Sequence, residues 1–154
     1  MVNDDLGLDT KWSPISVVNH TSTMTSLAFE HLANNDRDND KKIAYLHASP
    51  GFVRTTIFSR LTPPESSGLT WRMTLATIRG VVSVVMLLFG ISEEESGERH
   101  AYHLTCEDLG PGAIRIDKGS EVVHELGVLE KYRGSWPERV WEHTVGVTEK
   151  ALAK

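Results

Sequence analysis

Two histidines occupy positions where an imidazole could do acid/base chemistry. His20 lies in a stretch whose apolar residues recur at helical spacing, and His47 lies near the end of an apolar run that Pro50 and Gly51 close. Imidazole titrates near neutral pH, so it can donate or accept a proton without a cofactor. We predict His20 and His47 as the catalytic pair. The alternative for each is a structural histidine bonded to its neighbours.

Other catalytic chemistries have less support. The chain has seven histidines, but no cysteine or carboxylate cluster completes a ligand set around His100 and His103. Residues 99–106 have strand character, and an odd spacing in a strand places these two side chains on opposite faces. The sequence also lacks the Gly-x-Ser-x-Gly motif of a nucleophilic serine. We expect neither a metal site nor a serine hydrolase.

The elements that position the histidines follow from periodicity and from helix breakers. Ser13 and Pro14 start an amphipathic helix over residues 14–33, because serine caps free amides and proline fits the first turn. Residues 34–40 are polar and rich in turn formers, which predicts an exposed loop. Residues 43–48 then predict a buried strand.

The remainder of the chain predicts helices, loops and one short strand, so the fold class is α/β with few strands flanked by helices. We expect one domain over residues 1–154. The further predictions are a loop over 61–68, a helix over 70–88 bent or broken near Gly80, a solvated loop over 93–99, a strand over 113–116, and helices over 121–132 and 137–152.

Composition points to a cytoplasmic protein. The formal net charge of -5 leaves no basic face for nucleic acid. Cys106 is the single cysteine and the first ten residues lack a secretory pattern, so an intracellular location is expected. The apolar run 81–91 falls short of the about 20 residues that span a bilayer. We expect a buried or interface helix there, with membrane-surface contact or a substrate lid as alternatives, and no transmembrane segment.

Residues 23–33 and 43–55 together resemble the second half of a short-chain dehydrogenase/reductase, especially its divergent fungal members. The resemblance rests on a helix, an apolar strand and a Pro-Gly-x-Val-x-Thr turn at residues 50–55. It implies a truncated Rossmann-like fold. The family's Gly-rich nucleotide turn is not found before the helix, and Ser13 and Val17 stand at its catalytic Tyr and Lys positions. We therefore expect no nicotinamide cofactor.

The resemblance also implies where a substrate would bind. In the family, the turn that includes Thr55 contacts the nicotinamide amide, and here it could hold a substrate carbonyl instead. The helix that begins near Trp71 matches a substrate lid, in which Arg72 could clamp an enolate or a carboxylate. The predicted substrate-binding residues are Met24, Phe52, Thr55, Trp71 and Arg72.

Three functions fit the sequence. The first is a cofactor-independent isomerase or cyclase acting on an apolar polyketide or terpenoid intermediate, a substrate class implied by the fungal resemblance. The second is a non-catalytic pseudoenzyme or partner subunit of a full-length dehydrogenase. The third is an NADP-linked reductase fragment whose nucleotide half comes from another chain. Because a truncated half exposes a sheet edge and an apolar face, we expect a homodimer.

Overall fold

A computed structural model describes residues 1–56, 60, 68–124 and 127–153. The chain forms two compact units, one of Met1–Ala48 with Cys106–Lys154 and one of Ser49–Thr105. A single domain over residues 1–154 stays a prediction. The elements are α1 (Pro14–Asp38), β1 (Ala44–Ala48), α2 (Leu69–Phe89), α3 (Glu93–Thr105), β2 (Gly112–Ile116), α4 (Gly127–Glu130) and α5 (Trp136–Leu152).

The first unit is built on a parallel pair of strands. β1 and β2 run in register from Ala44 with Gly112 to Ala48 with Ile116. α1 packs on both strands and on α5. A core cluster joins Leu27 of α1 to Tyr132 and Val140. The α/β class, both short strands and the terminal helix are as predicted, whereas descent from a dehydrogenase fold stays a prediction.

α1 continues to Asp38, so the exposed loop predicted over residues 34–40 was wrong. Asp36 is buried because its carboxylate accepts a hydrogen bond from the Tyr45 hydroxyl of β1 and lies 3.5 Å from the Lys41 ammonium. These partners come from the strand and from the connection that leads to it. Tertiary pairing therefore outweighs the turn preference of this polar segment.

α3 replaces both the loop predicted over 93–99 and the strand predicted over 99–106. The Ser92 hydroxyl accepts a hydrogen bond from the Glu95 amide at 3.0 Å, as in a helix N-cap. Three glutamates follow in the first turn, where negative charge favours the helix dipole. The Ser-x-x-Glu spacing of a capping box was the sequence signal that these two predictions missed.

α2 is continuous through Gly80, so the predicted break is wrong, and a bend there stays a prediction. None of its residues is buried, and the helix is long and apolar enough to cross a membrane by length and composition. Among the described residues, the run 81–91 therefore does not form the buried helix that was expected. An interface helix and the lack of a transmembrane segment stay predictions.

The helix predicted over 121–132 is reduced to α4, because the preceding residues run antiparallel along β2. Val123 donates its amide hydrogen to the Arg115 carbonyl at 2.9 Å. The Asp117 carboxylate accepts hydrogen bonds from the amides of Gly119 and Glu121 at 2.7 and 3.0 Å, which turns the chain back. The loop predicted over 61–68 lies outside the described residues except for its last position, 68.

Candidate acid/base site

His47 is the predicted histidine whose surroundings suit acid/base chemistry. Its Nδ1 lies 2.7 Å from the Ser26 hydroxyl oxygen, and the Phe29 ring packs edge-on against the imidazole with 6.4 Å between ring centres. Within the described part of the chain, no hydrogen bond reaches its Nε2. One nitrogen therefore fixes the ring, and the other remains available to a substrate.

Helical spacing and strand register together build this site. Ser26, Phe29 and Glu30 lie at positions i, i+3 and i+4 of α1, which places them on one face of the helix. His47 and Arg115 are register partners on β1 and β2, so their side chains share one face of the sheet. The Arg115 guanidinium forms an ion pair with Glu30, which connects α1 to β2 beside the imidazole of His47.

The environment of His47 favours its neutral form. Burial, and secondly the positive charge of Arg115, lowers the pKa of His47 below its ordinary value of 6.5. At pH 7 the ring is therefore a proton acceptor. Ser26 is 5% exposed, and its hydroxyl oxygen contacts Nδ1, where it can orient the imidazole.

His20 is held by the N-terminal segment of the chain. It is 2% exposed. The Val2 amide donates a hydrogen bond to its Nδ1 at 3.1 Å, and its Nε2 lies 3.1 Å from the Leu6 carbonyl oxygen, to which it donates in the matching tautomer. Both nitrogens are thus engaged by backbone groups. These contacts favour the structural alternative for His20, and its catalytic role beside His47 stays a prediction.

His103 lies on α3 rather than on a strand and is 7% exposed. Within the described residues, neither of its ring nitrogens has a hydrogen-bond partner. Burial, followed by the charges of His100 and Arg99, lowers the pKa of His103. Across the same described ranges, no group of three or more His, Cys, Asp or Glu side chains could hold a metal ion.

The free energy of unfolding should fall as the pH is lowered from 7 to 5. The folded pKa values of His47 and His103 lie below the unfolded value of about 6.5, so the unfolded chain binds protons first in this window. The stability that the two neutral histidines contribute is present above the unfolded pKa and is lost as the pH falls. Urea unfolding at several pH values measures the slope. Changing both residues to glutamine should flatten it, whereas the exposed control His124→Gln should not; an unchanged slope in the double variant contradicts the prediction.

The predicted substrate-binding residues divide between the two units. Met24 packs against the core cluster of the first unit and is partly buried, and its role in substrate binding stays a prediction. Phe52, Thr55, Trp71 and Arg72 belong to the second unit and are exposed. They stay predicted binding residues.

Within the second unit, backbone hydrogen bonds hold the segment that carries Phe52. Ile91 donates its amide hydrogen to the Phe52 carbonyl, and Arg54 donates to the Ile91 carbonyl, both at 2.9 Å. A side chain at Gly90 would meet the Met86 carbonyl oxygen at 2.5 Å, so this close approach requires glycine. The segment after the Pro-Gly turn is therefore fixed to the end of α2.

Surface cavities in the described part of the first unit include two that His47 does not line. One of about 410 Å³ includes Ile43 and Gly112, at the amino ends of the strands. The other, of about 350 Å³, includes Arg115 and Val123 beside the outer edge of β2. Neither cavity therefore forms a binding pocket around His47, which lies near the carboxyl end of β1.

Comparison with known proteins relates the chain to fungal oxidoreductases. It is 32% identical to the oxidoreductase lepF of Aspergillus flavus, over 99% of this chain and 48% of lepF. It is 27% identical to the oxidoreductase AN1596 of Emericella nidulans (96% of this chain, 49% of that protein) and 24% identical to the oxidoreductase andH of Emericella variicolor (92% and 46%).

No protein-family profile matches the chain, and no solved structure matches it. The short-chain dehydrogenase type therefore stays a prediction. The chain is an oxidoreductase-like sequence that spans about half the length of the curated relatives it matches.

Proposed function

We propose that this protein is a cofactor-independent isomerase or cyclase in which His47 is the acid/base group. The observation that supports this proposal is the Ser26–His47 hydrogen bond, which occupies Nδ1 and leaves Nε2 without a partner in the described residues. The lowered pKa of His47 keeps the ring neutral near pH 7, as a general base requires. An apolar carbonyl compound of the polyketide or terpenoid class is the substrate within this proposal.

The proposed reaction needs no change in oxidation state. With Nδ1–H donating to the Ser26 oxygen, the Nε2 lone pair removes a proton from a carbon next to a carbonyl, and the C–H electron pair moves into an enolate. The imidazolium then returns the proton at another carbon of the conjugated system. The double bond has shifted, the proton is conserved, and His47 is again neutral.

A second candidate is supported by the relatives themselves. All three are named oxidoreductases and are about twice as long as the matched segment. In this alternative, the chain is the substrate half of an NADP-linked reductase or a partner subunit of a full-length dehydrogenase. The apolar and unburied α2 supplies contact surface for such an assembly. The homodimer expected from the sequence is also a proposal in which this chain is one subunit of an assembly.

Turnover with and without nicotinamide separates these functions. The purified protein is incubated with conjugated apolar ketones, and products are followed by chromatography while NADPH is followed by its absorbance. The proposal predicts isomerised products of unchanged mass without NADPH, and no heat of binding on calorimetric titration with NADPH or NADP. Reduced products formed only as NADPH is consumed would establish the second candidate instead.

A further inference from the structure

α2 is covered along only one narrow face in the described part of the chain. Four of its partly covered side chains repeat at i, i+4, i+7 and i+11 and so form one stripe along the helix, which consists of Leu75, Arg79, Val82 and Met86. The Arg54 side chain reaches the end of this stripe, where its Nε donates a hydrogen bond to the Met86 carbonyl at 3.2 Å. The opposite side of α2 therefore points away from the residues that cover it.

The uncovered side of α2 is apolar over an unusually wide arc. With about 100° of rotation per residue, its exposed large apolar side chains spread over about 200° of the helix circumference. An ordinary surface helix has an apolar stripe of about 100°, and a groove in a partner protein contacts a stripe of that kind. We call this surface the apolar arc, and it consists of Leu69, Trp71, Met73, Ile78, Val81, Val84, Leu87, Leu88 and Phe89.

The polar side chains within the apolar arc are compatible with an apolar medium. The Thr74 hydroxyl donates a hydrogen bond to the Thr70 carbonyl at 2.9 Å, and the Thr77 hydroxyl donates to the Met73 carbonyl at 3.1 Å. A hydroxyl that leaves water without a hydrogen-bond partner costs free energy. Because the helix itself accepts these two hydrogen bonds, both donors stay paired when the arc leaves water.

The charges on α2 favour a negatively charged surface. Its only charged residues are Arg72 and Arg79, in a chain whose formal net charge is -5. Neither arginine forms an ion pair in the described part of the chain. Arg79 lies halfway along the helix, and three glutamates begin α3 directly after α2, so charge opposes an orientation in which α2 crosses a bilayer. An orientation along the bilayer surface avoids this cost.

We propose that α2 lies flat in the surface of a phospholipid bilayer with anionic headgroups. The apolar arc faces the acyl chains, and the exposed Arg72 lies among the headgroup phosphates. A bilayer adapts to an arc of this width because the acyl chains are fluid, which a preformed protein groove is not. This proposal does not depend on the chemistry of His47.

Flotation with lipid vesicles tests the proposal. The full chain should float with vesicles of phosphatidylcholine and phosphatidylserine. The double variant Val84→Glu with Leu88→Glu places two charges in the centre of the apolar arc and should weaken this binding by about tenfold or more. Both side chains are more than half exposed, so circular dichroism should show an unchanged fold.

A matched control adds the same two charges to an apolar surface on another helix. Val147→Glu with Leu152→Glu changes exposed residues of α5 and should leave vesicle binding unchanged. Arg72→Gln should weaken binding to the mixed vesicles by about fivefold, because one basic residue near an anionic surface contributes a factor of this size.

Three results would overturn the proposal. The first is a native chain that floats with neither the mixed vesicles nor vesicles of phosphatidylcholine alone. The second is an equal loss of binding in the α5 control. The third is a lipid-free dimer, measured by light scattering, that the Val84→Glu and Leu88→Glu changes dissociate, because a second copy of the chain then covers the apolar arc.

Discussion

Replacing His47 by glutamine should lower the turnover of the proposed isomerisation by about 100-fold or more, because general acid/base groups contribute factors of that size. Glutamine can still hydrogen-bond to Ser26 but cannot take up a proton near neutral pH. The rate is measured under saturating substrate without nicotinamide, and urea unfolding of the same sample confirms that the fold is intact.

Two other variants distinguish catalysis by His47 from a general effect on the fold. Ser26→Ala should lower turnover less than His47→Gln. The Nε2 atom of His47 can still accept a proton in this variant, but the ring loses the hydrogen bond that positions it. His20→Gln should reduce stability and leave the rate per folded molecule unchanged, since both nitrogens of His20 bond the N-terminal segment. Full activity in His47→Gln would remove this residue from the mechanism.

Leu27→Ala should lower the free energy of unfolding by about 2–5 kcal/mol. Leu27 has 0% exposure and joins α1 to Tyr132 and Val140 in the described core of the first unit. Truncation removes apolar contacts and leaves a cavity that the neighbouring aromatic ring cannot fill without moving. Urea unfolding followed by circular dichroism gives the difference.

The matched control for this core substitution lies on the same helix. Ile15 is 75% exposed, so Ile15→Ala should change stability by no more than about 0.5 kcal/mol. Equal effects of the two substitutions would contradict the core that the structure assigns to the first unit.

Local signals were sufficient for the elements bounded by strong breakers. β1 is followed by Pro50 and Gly51, and Gly51 has a φ of +69°, a conformation that glycine favours. β2 follows a Gly-Pro-Gly turn, and α5 has Pro137 in its first turn. In each case the apolar pattern and the adjacent proline or glycine predict the same element, and the structure contains it.

Tertiary contacts decided the segments that the sequence did not predict. The polar end of α1 stays helical because Asp36 meets Tyr45 and Lys41. Residues 121–123 extend along β2 rather than entering a helix, because the carboxylate of Asp117 organises a turn just before them. The spacing of residues along the chain predicts neither the contacts of Asp36 nor the turn at Asp117.

The candidate site was predictable only in part, for the same reason. His47 was identified from its place at the end of a strand, but Ser26 was not, because 21 positions separate the two residues. A serine inside a helix carries no signal of its own. His20 has the same residue type as His47 and a favourable helical position, yet its contacts with the backbone of Val2 and Leu6 favour a structural role.

The protonation state of His47 is the most direct test of the central claim, and it requires no substrate. Nitrogen-15 NMR of the imidazole over pH 4 to 9 reports both the pKa and which nitrogen carries the proton. The proposal predicts a pKa below 6.5 and a neutral ring protonated on Nδ1, toward Ser26. A pKa above 6.5, or a neutral ring protonated on Nε2, would contradict His47 as a base that acts through Nε2.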